Sequence, residues 1–245
     1  MVRQQEQVTG FAATMTTVAM GLGSAVAVGD LRILANNISI VRNGLQFSPS
    51  TTIFVASLAT MTLAASVLGA GVLGDRYGMK RMFVAGACGA VVFGFIGAAA
   101  PNVVVLMIAR AGIGVAFAFL SGLSLAIMNA VFPPDRRAGA IARYLAAVYA
   151  FGVVPATVGS LLAEHIGWRS GLLVTPLLAI VVVVITLRYV PETQSSHRKI
   201  DIPGLLLVAA ALIGITYGIS RLQASVDAGA IAPIVTGILA AAAFV

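Results

Sequence analysis

Charge is what this chain has least of. Only 9% of its 245 residues are Asp, Glu, Lys or Arg, against about 25% in an ordinary water-soluble domain. With 60% hydrophobic residues, too little polar surface is left to cover a water-soluble fold of this length. Cysteine is nearly missing too. The single Cys88 excludes a disulfide framework or a cysteine metal site and reads as a small packing residue. Strict apolar–polar alternation is absent, which argues against a membrane β-barrel. The phosphate-cradling loop of nucleotide hydrolases is absent as well, so ATP hydrolysis has no support. The two histidines, His165 and His197, fall in loops at opposite membrane faces and cannot share a site. No enzyme constellation emerges, and neither a cofactor nor a metal is implied. Nor does the net charge of +7 point to nucleic acid, because the basic residues gather at the ends of apolar runs.

What is present is a succession of apolar runs long enough to cross a bilayer, which takes about 20 residues per helix. The pattern predicts an all-α integral membrane protein of eight spans. They run near Gly10–Ile40, Thr51–Leu73, Met82–Ala100, Asn102–Val131, Ala138–Ala163, Ser170–Tyr189 and Ile202–Arg221, with the last starting near Gly229. The first run continues past signal-peptide length, so no cleavable leader is expected.

Basic residues orient these spans. Arg3, Arg76, Lys80, Arg81, Arg136, Arg137, Arg143, Arg188, Arg198 and Lys199 flank one face, while only Arg42, Arg169 and Arg221 flank the other. By the positive-inside rule the first face, with the N-terminus, is cytoplasmic. The expected location is the cytoplasmic or inner cell membrane, crossed many times.

Three ionisable residues remain inside spans: Asp30, Arg32 and Arg110. An intramembrane charge costs roughly 2.5–3.5 kcal/mol on insertion scales and persists where it faces a cavity or a partner. Asp30 and Arg110 have opposite signs. Either they form a buried pair that locks helices together, or they mark an ionisable site on a transport path. Small residues recur every fourth position at Gly86, Ala90, Gly94 and Ala98, and again at Gly152, Ala156 and Ser160. Such ridges let membrane helices approach closely.

The densest charge lies in Gly71-Val-Leu-Gly-Asp75-Arg76-Tyr-Gly78-Met-Lys80-Arg81, between the second and third spans. Its glycines permit a sharp turn. Asp75 among bases suggests a charge network in which it caps the third span or a facing helix end, while Arg76 pairs with an acid elsewhere.

This loop resembles the G-x-L-a-D-r-x-G-r-k motif of the major facilitator superfamily, matched by Gly71, Leu73, Asp75, Arg76, Gly78 and Lys80, with Gly74 and Met79 departing. Asp30 falls where the drug:proton antiporter branch carries a D-x-T-I-V-N pattern; Ile33 and Asn36 fit it and Arg32 replaces the threonine. Arg110-Ala-Gly112-Ile-Gly114 is similar to the fourth-span motif. In the fifth span the antiporter G-P-x-x-G-G pattern keeps Pro155 and Gly159 but has two valines in place of glycine. Trp168-Arg169, Pro176 and Pro191-Glu192 also resemble the drug-antiporter pattern.

The resemblance implies a six-helix N-terminal domain over residues 1–193. The short connection and two extra spans of 194–245 are similar to the fourteen-span branch, with the C-terminal half of the transporter as a missing partner. It implies export of small, amphipathic or cationic compounds in exchange for protons, in contact with the lipid bilayer. Asp30 would carry the coupling proton, with Arg110, Arg32 and Asn36 along the path. Asp75, Arg76, Lys80 and Arg81 would latch the cytoplasmic side. An uptake carrier of the same fold is the alternative, and a transport-inactive scaffold or sensor a third.

Overall fold

In lipid every backbone N–H and C=O must be satisfied within its own segment, so long apolar runs become helices. The computed structural model describes residues 10–193, 202–222 and 228–244, and within them there are eight helices and no strand. They are α1 (Gly10–Leu45), α2 (Pro49–Tyr77), α3 (Met79–Ala98), α4 (Val103–Val131), α5 (Pro134–His165), α6 (Trp168–Tyr189), α7 (Ile202–Leu222) and α8 (Ala228–Phe244).

Local chemistry sets the turns. Ser48 adopts an extended N-cap conformation, accepts from the Thr51 amide at 3.3 Å, and is followed by Pro49 in the first turn of α2. The Asn102 side chain caps α4 by accepting from the Val105 amide at 3.0 Å. One residue, Gly78, separates α2 from α3. Its φ of +98° lies where a side chain is strained, which is why the loop motif needs glycine there.

α1 runs through the middle of the bundle, touching α2, α4, α5 and α6, while α3 packs on α4 and α6. One apolar core lies toward the basic face around Phe83, Phe117, Leu120 and Met128. A second lies toward the other face around Ile33, Leu34, Leu106 and Trp168. Val92, Ile108, Leu177 and Val184 stay exposed on the outside, where lipid rather than water suits them. α7 and α8 pack on each other, and α7 rests on α2, with Phe54 and Tyr217 edge to face at 6.0 Å.

Six helices, α1 to α6, are long and apolar enough to cross a membrane, and α7 and α8 follow as two further apolar helices. The elements differ from expectation in two places. First, α5 starts at Pro134, because proline suits a first helical turn, so the charged run Asp135 to Arg137 is helical and forms no loop. Second, His165 lies in the last turn of α5. Arg3, His197, Arg198, Lys199 and Asp201 lie outside the described residues.

A buried ion pair between helices and two polar faces of α1

Asp30 lies past the middle of α1, on the face turned to α4 and α6. Arg110 stands in the second turn of α4 and Thr175 in the second turn of α6. Each is about 10 Å from its helix start by helical rise, so two helices that both pack on α1 deliver their polar groups to it at one depth. Arg110 Nη1 donates to Asp30 Oδ2 at 2.7 Å and Nη2 donates to Oδ1 at 3.3 Å. The Thr175 hydroxyl donates to Oδ1 at 2.6 Å. The relative exposures are 1% for Asp30, 1% for Arg110 and 2% for Thr175, so the carboxylate is fully withdrawn from solvent. Arg110 Nε is buried without a partner among the described residues. A two-pronged guanidinium contact is strong and directional, yet burying such a pair is no guarantee of stability.

Thr175 was not singled out from sequence. The available signal was a hydroxyl beside a proline, Thr175-Pro176, in an otherwise apolar segment. Pro176 also packs into α3: a methyl group on Gly94 would come within 2.9 Å of its Cδ.

The fifth-span motif supports the same turn of α1. Pro155 and Gly159 are buried. A methyl group on Gly29, next to Asp30, would lie 2.8 Å from Pro155 Cγ, and one on Gly159 would lie 2.6 Å from Ile33 Cγ1. Glycine on each helix thus lets α1 and α5 close together beside the ion pair.

Arg32 and Asn36 do not join it. Both are exposed, on a different face of α1, and line a cavity of about 360 Å³ with Thr157, Ser160 and Glu164 of α5. Asn36 and Asn37 donate to Ser160 Oγ at 3.4 and 3.1 Å. The Gly-Ala-Ser ridge of α5 therefore faces α1 as a partly polar seam.

The loop motif divides. Lys80 Nζ and Arg81 Nε each lie 3.8 Å from the Glu192 carboxylate after α6. The Lys80 amide donates to Thr193 Oγ1 at 3.2 Å. Asp75 and Arg76 are exposed in the last turn of α2. Arg76 sits over the Tyr77 ring at 5.4 Å and meets no described acid. The cap expected from Asp75 is not formed: the N-cap of α3 is Gly78, with no side-chain hydrogen bond. A single-residue connection leaves Asp75 one helical turn too early to reach it.

Comparisons with known proteins agree with this architecture. The chain is 30% identical over 207 residues to drug efflux pump JefA of Mycobacterium tuberculosis, covering 84% of this chain and 41% of that protein. It is 29% identical over 226 residues to cephamycin export protein CmcT of Amycolatopsis lactamdurans, covering 90% and 46%. The chain thus spans less than half the length of these relatives. Among solved structures, the proton:xylose symporter XylE superposes with a TM-score of 0.63 at 16% identity, over 95% of this chain and 51% of that one. A bacterial homolog of the human lysosomal transporter Spinster, in an inward-facing conformation, gives 0.64 at 17% identity, over 96% and 60%. At such identities these structures speak for the fold alone. Residues 20–244 match the Major Facilitator Superfamily, and the chain belongs to that family of membrane transporters.

Proposed function

We propose that this chain is the N-terminal part of a secondary transporter that exports small amphipathic compounds in exchange for protons. The observation that carries the reading is the Asp30 carboxylate, buried at membrane depth and held by Arg110 and Thr175. Intramembrane carboxylates of this kind are the usual relay points of proton-driven transport. Protonation would remove the charge that Arg110 faces, so the contact between α1 and α4 has two electrostatic states. The relatives named for efflux favour the outward direction. Asp75 and Arg76, unpaired with any described charge, are available to latch against the rest of the transporter, and the basic face is cytoplasmic in this reading.

The test is transport by the full-length protein in vesicles with an imposed pH gradient. The expected result is substrate movement against the proton flux, abolished in Asp30→Asn with protein levels kept. Proton-coupled efflux at the parent rate in that variant would sink the coupling role. Co-transport in the same direction as protons would instead favour uptake.

A further inference from the structure

A second cavity opens at the basic end of the bundle, between the start of α1 and the start of α5. It measures about 390 Å³, within the usual range of small-molecule sites. Its wall is apolar at Phe132 and Phe151, with Thr14 and Thr17 on the α1 side and two cations, Arg136 and Arg143, on the α5 side. Among the described residues no acid lines it. The described competitor for these cations is Asp135, which lies 3.6 Å from Arg136 in an exposed pair between chain neighbours, and such pairs are weak. Arg143 makes no hydrogen bond or ion pair among the described residues.

The depth of Arg143 makes this notable. α5 has 32 residues and is about 48 Å long, so a hydrocarbon core near 30 Å leaves about 9 Å of helix outside at each end. Arg143 lies about 14 Å along the axis from Pro134, inside that boundary. An unpaired guanidinium there is expensive unless something with negative charge meets it. Arg143 takes no part in either contact already described, since Asp30 is paired with Arg110 and Glu192 with Lys80 and Arg81.

We propose that this cavity binds the anionic end of an amphipathic molecule, a carboxylate or phosphate on an apolar body. Arg143 is the inner docking charge, Arg136 the charge at the mouth, and Phe132 and Phe151 contact the apolar part. The proposal deepens the export reading by giving the charge of the favoured solute, and rests on it only for the meaning of the site in transport. The same chemistry belongs to a transported solute or to an anionic lipid of the bilayer.

Binding decides it, with no pH gradient applied, so failure of proton coupling leaves this test intact. The protein in phosphatidylcholine nanodiscs is titrated with decanoate and, separately, decyltrimethylammonium, with empty discs as blanks. Decanoate should bind saturably and the cation should not. Arg143→Gln should weaken decanoate about tenfold or more, as loss of a charge-assisted contact does. Arg143→Lys should retain most of the binding, and Arg136→Gln, at the exposed mouth, should weaken it less. Repeating the titration with phosphatidylglycerol in the disc separates the sources. Competition identifies lipid as the occupant, and unchanged decanoate affinity identifies a soluble amphiphile. Equal binding of both probes, or full decanoate affinity in both Gln variants, overturns the proposal.

Discussion

Asp30 is held by two partners from different helices, and the two make separable demands on it. Deleting one partner of a buried pair strands the other charge at a cost of roughly 3–5 kcal/mol. Arg110→Ala should therefore lower thermal stability sharply, because Asp30 keeps only the Thr175 hydroxyl. Thr175→Val keeps the shape and removes one donor to a charged group, a loss of about 1.5–3 kcal/mol. Both effects are measurable as shifts in the melting of helical circular dichroism. A melting point for Thr175→Val equal to the parent's would remove Thr175 from the site. Glycines give a sharper contrast. A methyl group on Gly114 would run into the Ala59 carbonyl of α2, a backbone atom with little room to yield, whereas one on Gly139 meets nothing within 4 Å. Gly114→Ala should destabilise by about 1–3 kcal/mol. Gly139→Ala should be neutral or stabilising by about 0.4–1 kcal/mol through the unfolded chain.

At the level of elements, the end of α6 ties down the start of α3. Lys80 and Arg81 reach Glu192, and the Lys80 ammonium also donates to the Leu187 carbonyl at 3.4 Å. Glu192 is 60% exposed, so Glu192→Gln should change stability by no more than about 1 kcal/mol. A cysteine replacing Arg81 in a Cys88→Ala background should nevertheless react faster with thiol reagents once Glu192 is neutral, because its neighbour Lys80 is held less firmly. An unchanged rate would reduce the contact to an incidental surface pair. The helices themselves were readable from sequence, since lipid punishes charge and keeps it rare between helix ends. Asp30 and Arg110 stood out for that reason. Thr175 did not, because positions 30, 110 and 175 share no local period and meet only when α1, α4 and α6 pack. The partner of the loop was hidden likewise: Glu192 follows α6, and only folding brings it beside Lys80. The run Asp135 to Arg137 resembles a loop in sequence, while Pro134 starts the helix there.

For the whole molecule, the question is which face meets the cytoplasm. The bundle has one end carrying Arg76, Lys80, Arg81, Arg136, Arg137 and Arg188, and the opposite end carrying Arg42 and Arg169. At that poorer end Arg169 is occupied within the fold: it donates to the Ala100 carbonyl at 3.0 Å and sits 4.2 Å over the Trp168 ring. Arg76 and Arg136, by contrast, are largely exposed at the rich end. Loop lysines and arginines close to span ends set orientation during insertion, so the rich end should be cytoplasmic. Cys88 is exposed on α3 and would give background reaction, so it must be replaced by alanine first. Single cysteines at Lys80 and Arg136 should then resist a membrane-impermeant thiol reagent in intact cells and react after permeabilisation. A cysteine at Gln46, in the turn between α1 and α2, should show the reverse. Ready labelling of the Lys80 position from outside would invert the molecule, and would place the arginine-lined cavity between α1 and α5 on the external face.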